Sequence, residues 1–279
     1  MRRHSGPARF HGGRFTVVNT ESLNGLSIEP DGPILRVWLD RPDKLNPLNT
    51  ETLDAVATVF SMVNHDFAVE LVVLAGRGRS FSAGADRKAS PGAEHMSASS
   101  GAGDRERRWY SQIGHRACVA IINCEVPTIA RIQGWCVGGG LALALACDFR
   151  IAGDDARFSI PEVDLGIPLA WGATPRLISE IGASRARELI LMCNEVDGTE
   201  AARLGLVHRC VPLADLDAEV QAWAQRLVAK PPIAVSEARS QFRAYAHAAV
   251  LGDVTQTDGD LMMQASRGPV AQAAFVGLD

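Results

Sequence analysis

Three consecutive glycines at 138–140 open a run of small apolar residues, LALALA, that predicts a buried helix. A glycine turn lets another molecule approach the backbone without meeting a Cβ. A helix that begins there has free N–H groups at its start, together with the positive end of its dipole. These donors could hold negative charge that develops on an oxygen, as it does in an enolate.

Two other interpretations of the glycine run stay open at this point. Glycines also let a helix pack closely on a sheet, which is a purely structural role. A phosphate cradle is the weaker alternative. No Lys-Ser or Lys-Thr follows the run, and the chain contains no Gly-x-Gly-x-x-Gly.

The composition excludes several classes of function. The chain of 279 residues is 47% hydrophobic and 22% charged, which is typical of a globular protein with a large core. Its net charge of −4 and lack of a basic stripe predict no nucleic-acid partner. The six cysteines form no Cys-x-x-Cys pair, which favours buried thiols in a reducing compartment. No histidine has a second ligand at metal spacing, so no metal site is predicted.

The beginning of the chain differs in composition from the rest. Residues 1–24 contain several Arg, Gly and His but no apolar core segment. They predict a flexible tail rather than a signal peptide or a membrane helix. No later segment has the uncharged apolar length that spans a bilayer, so we expect a cytoplasmic protein with no membrane partner.

The first predicted elements are a hairpin, a helix and a buried strand. Two alternating apolar runs at 26–29 and 34–39 flank turn residues and predict a β-hairpin. Asn49 or Thr50 could cap a helix over 51–64, where apolar residues recur at helical spacing. The continuous apolar run at 71–75 predicts a strand that is buried on both faces.

Alternation of strands and helices continues along the chain and predicts an α/β fold. The Ser-, Gly- and Ala-rich residues at 88–104 predict a flexible loop or a partly ordered helix. Strands are predicted over 126–132, 149–152 and 156–159. Helices are predicted over 107–123, from Thr174 toward Ile181, over 185–192 and over 200–204, the last with Thr199 as its cap. Beyond Asp215 the chain is predicted to be mostly helical, with a break at Pro231 and Pro232. Strand, strand and helix recur more than once, which indicates a repeated unit.

Six motifs then occur in a fixed order. They read LDRPDKLN at 39–46, SFSAGAD at 80–86, the glycine run with CD at 147–148, PEVDLGI at 161–167, TPRL at 174–177 and AARLGLV at 201–207. In this order they resemble the enoyl-CoA hydratase/isomerase (crotonase) family, over about residues 26–245.

The resemblance implies a fold and a substrate class. It implies a crotonase-like spiral of repeated ββα units over 25–205, followed by a C-terminal helical region over 206–279. In the family that region builds homotrimers, often paired into homohexamers. The implied substrate is an acyl-CoA thioester, with no cofactor beyond its coenzyme A moiety.

The resemblance also implies site residues. The backbone N–H groups of Ala85 and Gly139 correspond to the pair that holds the thioester oxygen, and each such donor contributes about 3 kcal/mol to binding an enolate. Further substrate contacts are implied for seven residues, of which Trp171 is a pocket wall: Lys44, Leu45, Ala83, Gly84, Asp86, Gly138 and Trp171.

This chain departs from the family's hydratases at one acid and one loop. Those enzymes carry two glutamates that flank a water, one on the glycine-rich helix and one in the Pro-Glu motif. Here the first position is Ala142, and only Glu162 is retained. The next loop has Trp171 where a nucleophilic water would need room, and Ala170 replaces the extra acid of the family's dienoyl isomerases.

A single carboxylate suffices for double-bond migration. Monofunctional 3,2-enoyl-CoA isomerases of the family can use one acid at the Glu162 position to remove a proton from C2 and return it at C4. An apolar pocket would raise the pKa of Glu162 and strengthen its basicity. By spacing alone, an exposed carboxylate after Pro161 is the favoured interpretation of Glu162, but the surrounding family motif reverses that preference.

Three other carboxylates are candidates for structural roles. Asp148 ends the glycine-rich helix, and Asp86 is expected to bind turn backbone. Asp164 would share a face with Glu162 on an extended segment, where a structural hydrogen bond is the favoured role over that of a second acid.

Several functions therefore stay open. Isomerisation of an enoyl-CoA fits the retained acid, and hydration is the reaction most often attached to the family. A non-catalytic acyl-CoA-binding protein and a structural partner in a mixed oligomer are the alternatives from other classes.

Overall fold

A computed structural model describes residues 23–96, 100–249, 258–265 and 267–275. All but the last two residues of the predicted tail over 1–24 lie outside these ranges. The strands are β1 Leu26–Asp31, β2 Ile34–Leu39, β3 Leu71–Gly76, β4 Thr128–Ile132, β5 Trp135–Val137, β6 Phe149–Gly153, β7 Arg157–Ser159, β8 Val196–Asp197 and β9 Arg209–Val211. The helices are α1 Thr50–Val63, α2 Ala93–Met96, α3 Asp104–Ser111, α4 Ile113–Ile122, α5 Gly139–Ala146, α6 Ala173–Met192, α7 Gly198–Leu204, α8 Leu216–Val228, α9 Pro232–Ala249, α10 Asp258–Ala265 and α11 Pro269–Phe275.

The main sheet has six strands in the order β1-β2-β3-β4-β6-β9. The predicted hairpin is confirmed, since β1 pairs antiparallel with β2, and every later pair is parallel. All six residues of β3 are buried, as the apolar run at 71–75 predicts. Successive side chains of a strand point to opposite faces, so β3 contributes to two cores. Val72 and Leu74 join the larger core, and Leu71 and Val73 join a smaller one beneath α8.

A second stack of backbone runs beside the main sheet. Strand β5 pairs parallel with β7, and β7 pairs antiparallel with the short β8. Two isolated parallel bridges extend this stack, Leu48 with Ala85 and Ser82 with Cys136. Each turn of chain therefore adds one strand to the main sheet and one extended segment to the second stack. This is the repeated unit that the sequence pattern indicates, and it forms an α/β spiral.

Most helix predictions are confirmed in place. Helix α1 begins after Asn49, whose side-chain oxygen accepts a hydrogen bond from the amide of Thr52 at 3.0 Å. The loop predicted at 88–104 contains the short α2, and α8 and α9 are separated at the predicted prolines. The region over 206–279 contains β9 and α8, which pack against the main sheet. Among the described residues, no helix has the length and apolar character needed to cross a membrane.

Two details of the helix predictions are wrong. The helix predicted over 107–123 is two helices, α3 and α4, which meet at Gln112 with φ −103° and ψ 11°. The cap of α7 is Asp197 rather than Thr199, because the Asp197 side chain accepts a hydrogen bond from the amide of Glu200 at 2.8 Å. The break predicted between the helices ending near Ile181 and beginning near Arg185 is confirmed, because α6 is interrupted by a non-helical Gly182.

A buried asparagine joins the loops of the second stack. Asn46 donates from Nδ2 to the carbonyls of Arg77 and Ser80 at 2.9 and 2.8 Å, and its Oδ1 accepts from the amide of Arg41 at 2.8 Å. Its own carbonyl accepts a hydrogen bond from the Ser82 hydroxyl at 2.7 Å. One side chain therefore fixes the start of the 80–86 segment relative to the loop after β2.

The substitution Asn46→Ala should lower the free energy of unfolding by about 2–4 kcal/mol, because it leaves buried backbone groups without partners. Asn46 also has φ +54°, a conformation that alanine adopts poorly. Urea unfolding measures the change. Asn64→Ala is the matched control, since Asn64 also bonds two backbone groups but at an exposed position, and it should cost less. Equal losses in the two variants would contradict the anchoring role of Asn46.

Candidate active site

The three glycines at the start of α5 each face a different neighbour. A Cβ at Gly138 would overlap the carboxylate of Glu162, with its Cδ at 3.2 Å. A Cβ at Gly139 would lie 2.5 Å from Cη2 of Trp171, and one at Gly140 would lie 2.8 Å from Cβ of Ser82. The missing side chains thus let an acid, an indole ring and the 80–86 segment converge on one turn of backbone.

Glu162 reaches this turn from the loop after β7. The backbone of 162–167 is a turn in which the amides of Leu165 and Ile167 donate to the carbonyl of Glu162, both at 3.0 Å. The side chain is partly buried, and its Oε2 has no hydrogen-bond partner among the described residues. Removal from water raises the pKa of Glu162 to about 7, against which a hydrogen bond from its own backbone acts weakly. A carboxylate with this pKa can both accept and return a proton near neutrality.

The segment that carries the Ala85 amide closely approaches the backbone at the start of α5. A Cβ at Gly84, which has φ +87°, would lie 2.8 Å from the carbonyl oxygen of Val137 and 3.7 Å from the amide nitrogen of Gly139. In the bridge to Leu48, the flanking residues make the hydrogen bonds: Leu48 donates to the Gly84 carbonyl and Asp86 donates to the Leu48 carbonyl, both at 2.8 Å. Within the described part of the chain, neither the Ala85 nor the Gly139 amide donates to an acceptor.

The position one turn along α5 carries no acid. Ala142 is buried, and its amide donates to the carbonyl of Gly138 at 2.9 Å. The extended segment on which Asp164 would share a face with Glu162 is not formed, because 162–166 is a turn and Asp164 is exposed. Asp164 makes no hydrogen bond to the residues described, so its predicted structural bond is not found either. Glu162 is thus the carboxylate that faces the glycine turn.

The structural roles predicted for two aspartates are confirmed. Asp86 accepts from the amides of Lys88 and Ala89 at 3.0 and 3.2 Å and pairs with Arg41 at 2.8 Å. Burial acts to raise the pKa of Asp86, but these hydrogen bonds, with that of Arg41 the strongest, hold it below its usual value. Asp148 accepts from the amide and hydroxyl of Thr128.

The remaining predicted contact residues lie on two loops that contact each other. Leu45 has φ +63° and its carbonyl accepts from the amide of Ala83 at 2.8 Å, so the 39–46 and 80–86 motifs are in direct contact. Lys44 ends a short 3₁₀ helix and is exposed. The structure therefore brings Leu45, Ala83 and Gly84 together, while the Lys44 side chain points to solvent.

Two residues at this site escaped the sequence analysis. Gly114 of α4 lies beneath the indole of Trp171, so that a Cβ there would overlap the ring. Asp258, at the start of α10, accepts a hydrogen bond from the amide of Gly172 at 2.6 Å. A glycine within a helical pattern was the available signal for Gly114. Nothing in the sequence connects Asp258 to a loop that lies 86 residues earlier.

The chain resembles known proteins over most of its length. A family model described as enoyl-CoA hydratase/isomerase matches residues 29–273. A crotonyl-CoA hydratase from Syntrophomonas wolfei is 35% identical over 215 residues, which cover 77% of this chain and 79% of the relative.

Solved structures share the fold. An enoyl-CoA hydratase/carnithine racemase from Magnetospirillum magneticum has a TM-score of 0.73 at 30% identity, covering 81% of this chain and 82% of that chain. A monofunctional enoyl-CoA isomerase from M. smegmatis has a TM-score of 0.67 at 28% identity, covering 81% of this chain and 95% of that chain. The resemblance inferred from the six motifs is confirmed.

The raised pKa of Glu162 makes stability depend on pH. Between pH 4.5 and about 7, the folded chain keeps the Glu162 proton while the unfolded chain loses it. The contribution of Glu162 to the free energy of unfolding is therefore complete below pH 4.5 and is lost as pH rises through about 7. Relative to Glu162→Gln, wild type should lose about 2–3 kcal/mol of unfolding free energy over this interval. Urea unfolding at pH 4.5 and pH 8 measures it. Asp164→Asn is the control, because Asp164 is exposed. If Glu162→Gln and Asp164→Asn show the same pH dependence of the unfolding free energy, the burial of Glu162 is contradicted.

Proposed function

The chain belongs to the enoyl-CoA hydratase/isomerase family, and from this membership we propose that it is an enzyme that moves the double bond of an enoyl-CoA thioester. The observation that carries the proposal is the lone carboxylate of Glu162 against the glycine turn, with Ala142 where a second acid would stand. Double-bond migration needs one base that takes and returns one proton, and it consumes no water.

The proposed reaction has two proton transfers. The Glu162 carboxylate removes a proton from C2 of a 3-enoyl thioester, and the electron pair moves into the thioester carbonyl to form a dienolate. The protonated Glu162 then returns the proton at C4, and the double bond forms between C2 and C3. A pKa of about 7 suits both steps, because neither protonation state is strongly favoured at neutral pH.

The amides of Ala85 and Gly139 are the proposed oxyanion hole. Both belong to segments held in place by backbone hydrogen bonds, and Gly139 also lies at the positive end of the α5 dipole. Donors that are fixed before the reaction stabilise the developing charge without reorganisation. Further contacts with the substrate are proposed for Lys44, Leu45, Ala83, Gly84, Asp86, Gly138 and Trp171.

Hydration is the second candidate reaction. Relatives of this chain include a crotonyl-CoA hydratase at 35% identity, and a carboxylate such as Glu162 can also activate water. The non-catalytic alternative finds no support among the relatives, which carry the names of enzymes. No cofactor beyond the coenzyme A moiety of the substrate is proposed, since the base and the amides come from the chain.

A cytoplasmic location is also part of the proposal. The six cysteines are free thiols, and four of them are buried. Reducing compartments maintain free thiols, which supports this location.

Glu162→Gln should lower kcat for conversion of a medium-chain 3-enoyl-CoA by about 10²–10⁴, the usual contribution of a general base. Binding of the acyl-CoA should change little, because the amide has the size of the acid. Conjugated-thioester absorbance and product mass are followed together. Conjugation at unchanged mass means isomerisation, and gain of one water means hydration.

Asp164→Asn is the control for this experiment and should retain activity, since Asp164 is exposed. Full turnover by Glu162→Gln would contradict the assignment of the base. Wild type that binds acyl-CoA without converting it would contradict the proposed reaction.

We further propose a homotrimer or a pair of trimers. Support comes from large apolar side chains exposed on the C-terminal helices, among them Phe242 at 77% and Ile233 at 68% on α9. Apolar side chains of this size that are exposed in a single chain are candidates for burial in a contact between chains.

Light scattering should therefore give a mass three or six times the 29.8 kDa of one chain. Phe242→Glu should shift the mass toward that of the monomer, because it places a charge in the contact. Phe67→Glu is the control, since Phe67 is 93% exposed but precedes β3, far along the chain from these helices. A monomeric wild type at micromolar concentration would contradict the assembly.

A further inference from the structure

Trp171 stands out by its backbone conformation. Its φ is +60°, which bulky residues rarely adopt and which costs on the order of 1 kcal/mol. Contacts on both sides hold it there: Arg176 donates from Nη1 to the Trp171 carbonyl at 3.0 Å, and the following amide of Gly172 donates to Asp258 at 2.6 Å. Three elements, α6, α10 and the loop itself, thus determine where the indole lies.

The indole lies between two helices at positions without side chains. A Cβ on Gly114 of α4 would overlap Nε1, Cδ2 and Cε2, and one on Gly139 of α5 would lie 2.5 Å from Cη2. The five-membered ring therefore faces α4, and the outer edge of the six-membered ring faces the first turn of α5. Neither glycine has a positive φ, so close approach of the ring, rather than backbone conformation, accounts for both.

The position that lacks an acid lies on the side of α5 that faces the indole. Residues three apart on a helix lie on one face, so Ala142 follows Gly139 on the face of α5 that the indole contacts. Glu162 lies against Gly138, one residue earlier. The indole thus occupies space beside the base, where a carboxylate extending from 142 and a water between two acids would otherwise lie.

We infer that Trp171 is the residue that determines reaction specificity, because its indole excludes water and a second carboxylate from the first turn of α5. This inference rests on the proposed function and deepens it. With water excluded, the dienolate can only be protonated again by Glu162. If the ring is removed and an acid supplied at 142, water can add to the 2-enoyl thioester that isomerisation forms. The water oxygen bonds to C3 as its proton passes to a carboxylate, and the electron pair of the C2–C3 double bond takes a proton at C2.

The test compares four proteins: wild type, Ala142→Glu, Trp171→Ala and the double variant. Each is given 3-enoyl-CoA in H₂¹⁸O, and the ratio of hydrated to isomerised product is measured by mass. Ala142→Glu alone should hydrate little, because the indole occupies the room that the new side chain needs. The double variant should exceed Ala142→Glu in this ratio by about tenfold or more.

A second readout needs no new acid. In D₂O, the proton that wild type takes from C2 should reach C4 with little exchange, because water has poor access to Glu162. Trp171→Ala should raise the deuterium content of the isomerised product severalfold. A merely structural role for Trp171 would lower turnover and leave the deuterium content unchanged.

Two controls separate these effects from loss of stability. Trp223→Ala removes a partly buried indole on α8, outside the site, and should leave both readouts as in wild type. If Trp171→Ala does not fold, Gly114→Ala takes its place in the test. Its Cβ would displace the indole ring, and alanine is favourable within a helix. Gly103→Ala is its control, because a Cβ there meets no atom within 4 Å.

The outcomes distinguish the inference from the function on which it rests. A wild type that isomerises, with Ala142→Glu hydrating as readily as the double variant, overturns the inference alone. So does a double variant that isomerises without hydrating, or unchanged deuterium content in both Trp171→Ala and Gly114→Ala. A wild type that neither isomerises nor hydrates overturns the proposed function and the inference together.

Discussion

The absence of three consecutive Cβ atoms at 138–140 is the constraint on which the site depends. Each glycine accepts a neighbour at a distance that a side chain would prevent: Glu162, Trp171 and Ser82. The same turn begins α5, so the close approach also exposes an amide at the positive end of a helix. Adding any one side chain would displace the acid, the indole or the 80–86 segment.

Two buried ionisable side chains, Arg150 and Glu162, differ in their hydrogen bonding. Arg150 is fully buried, but its guanidinium donates to the carbonyls of Leu206 and Cys147 and to the carboxylate of Glu180. Glu162 instead has a buried oxygen without a hydrogen-bond partner among the residues described. An unpaired buried carboxylate costs stability, and its pKa rises in response. The acid that faces the glycine turn thus lowers the stability of the fold, at a position where a base with a pKa near neutrality can act.

The loops that carry the candidate oxyanion donors are placed by hydrogen bonds to backbone groups as well as by apolar packing. Asn46 and Ser82 connect the 39–46 motif to the 80–86 segment, and isolated bridges continue the pattern toward β5. Such bonds fix position and direction together. An amide that must meet an oxygen atom requires this accuracy, which a hydrophobic contact alone does not provide.

Local patterns in the sequence determined the hairpin, the Asn49 cap, the buried β3 and the glycine turn, because each depends on neighbouring residues alone. The order of six motifs was enough to identify the family. Only the tertiary structure placed the indole of Trp171 between Gly114 and Gly139, and bound its loop to Asp258. Spacing in sequence also left the orientation of Asp164 open, and the structure shows a turn rather than a strand after Pro161. The physical reason is that periodicity describes one element at a time, whereas convergence of surfaces depends on how distant elements pack.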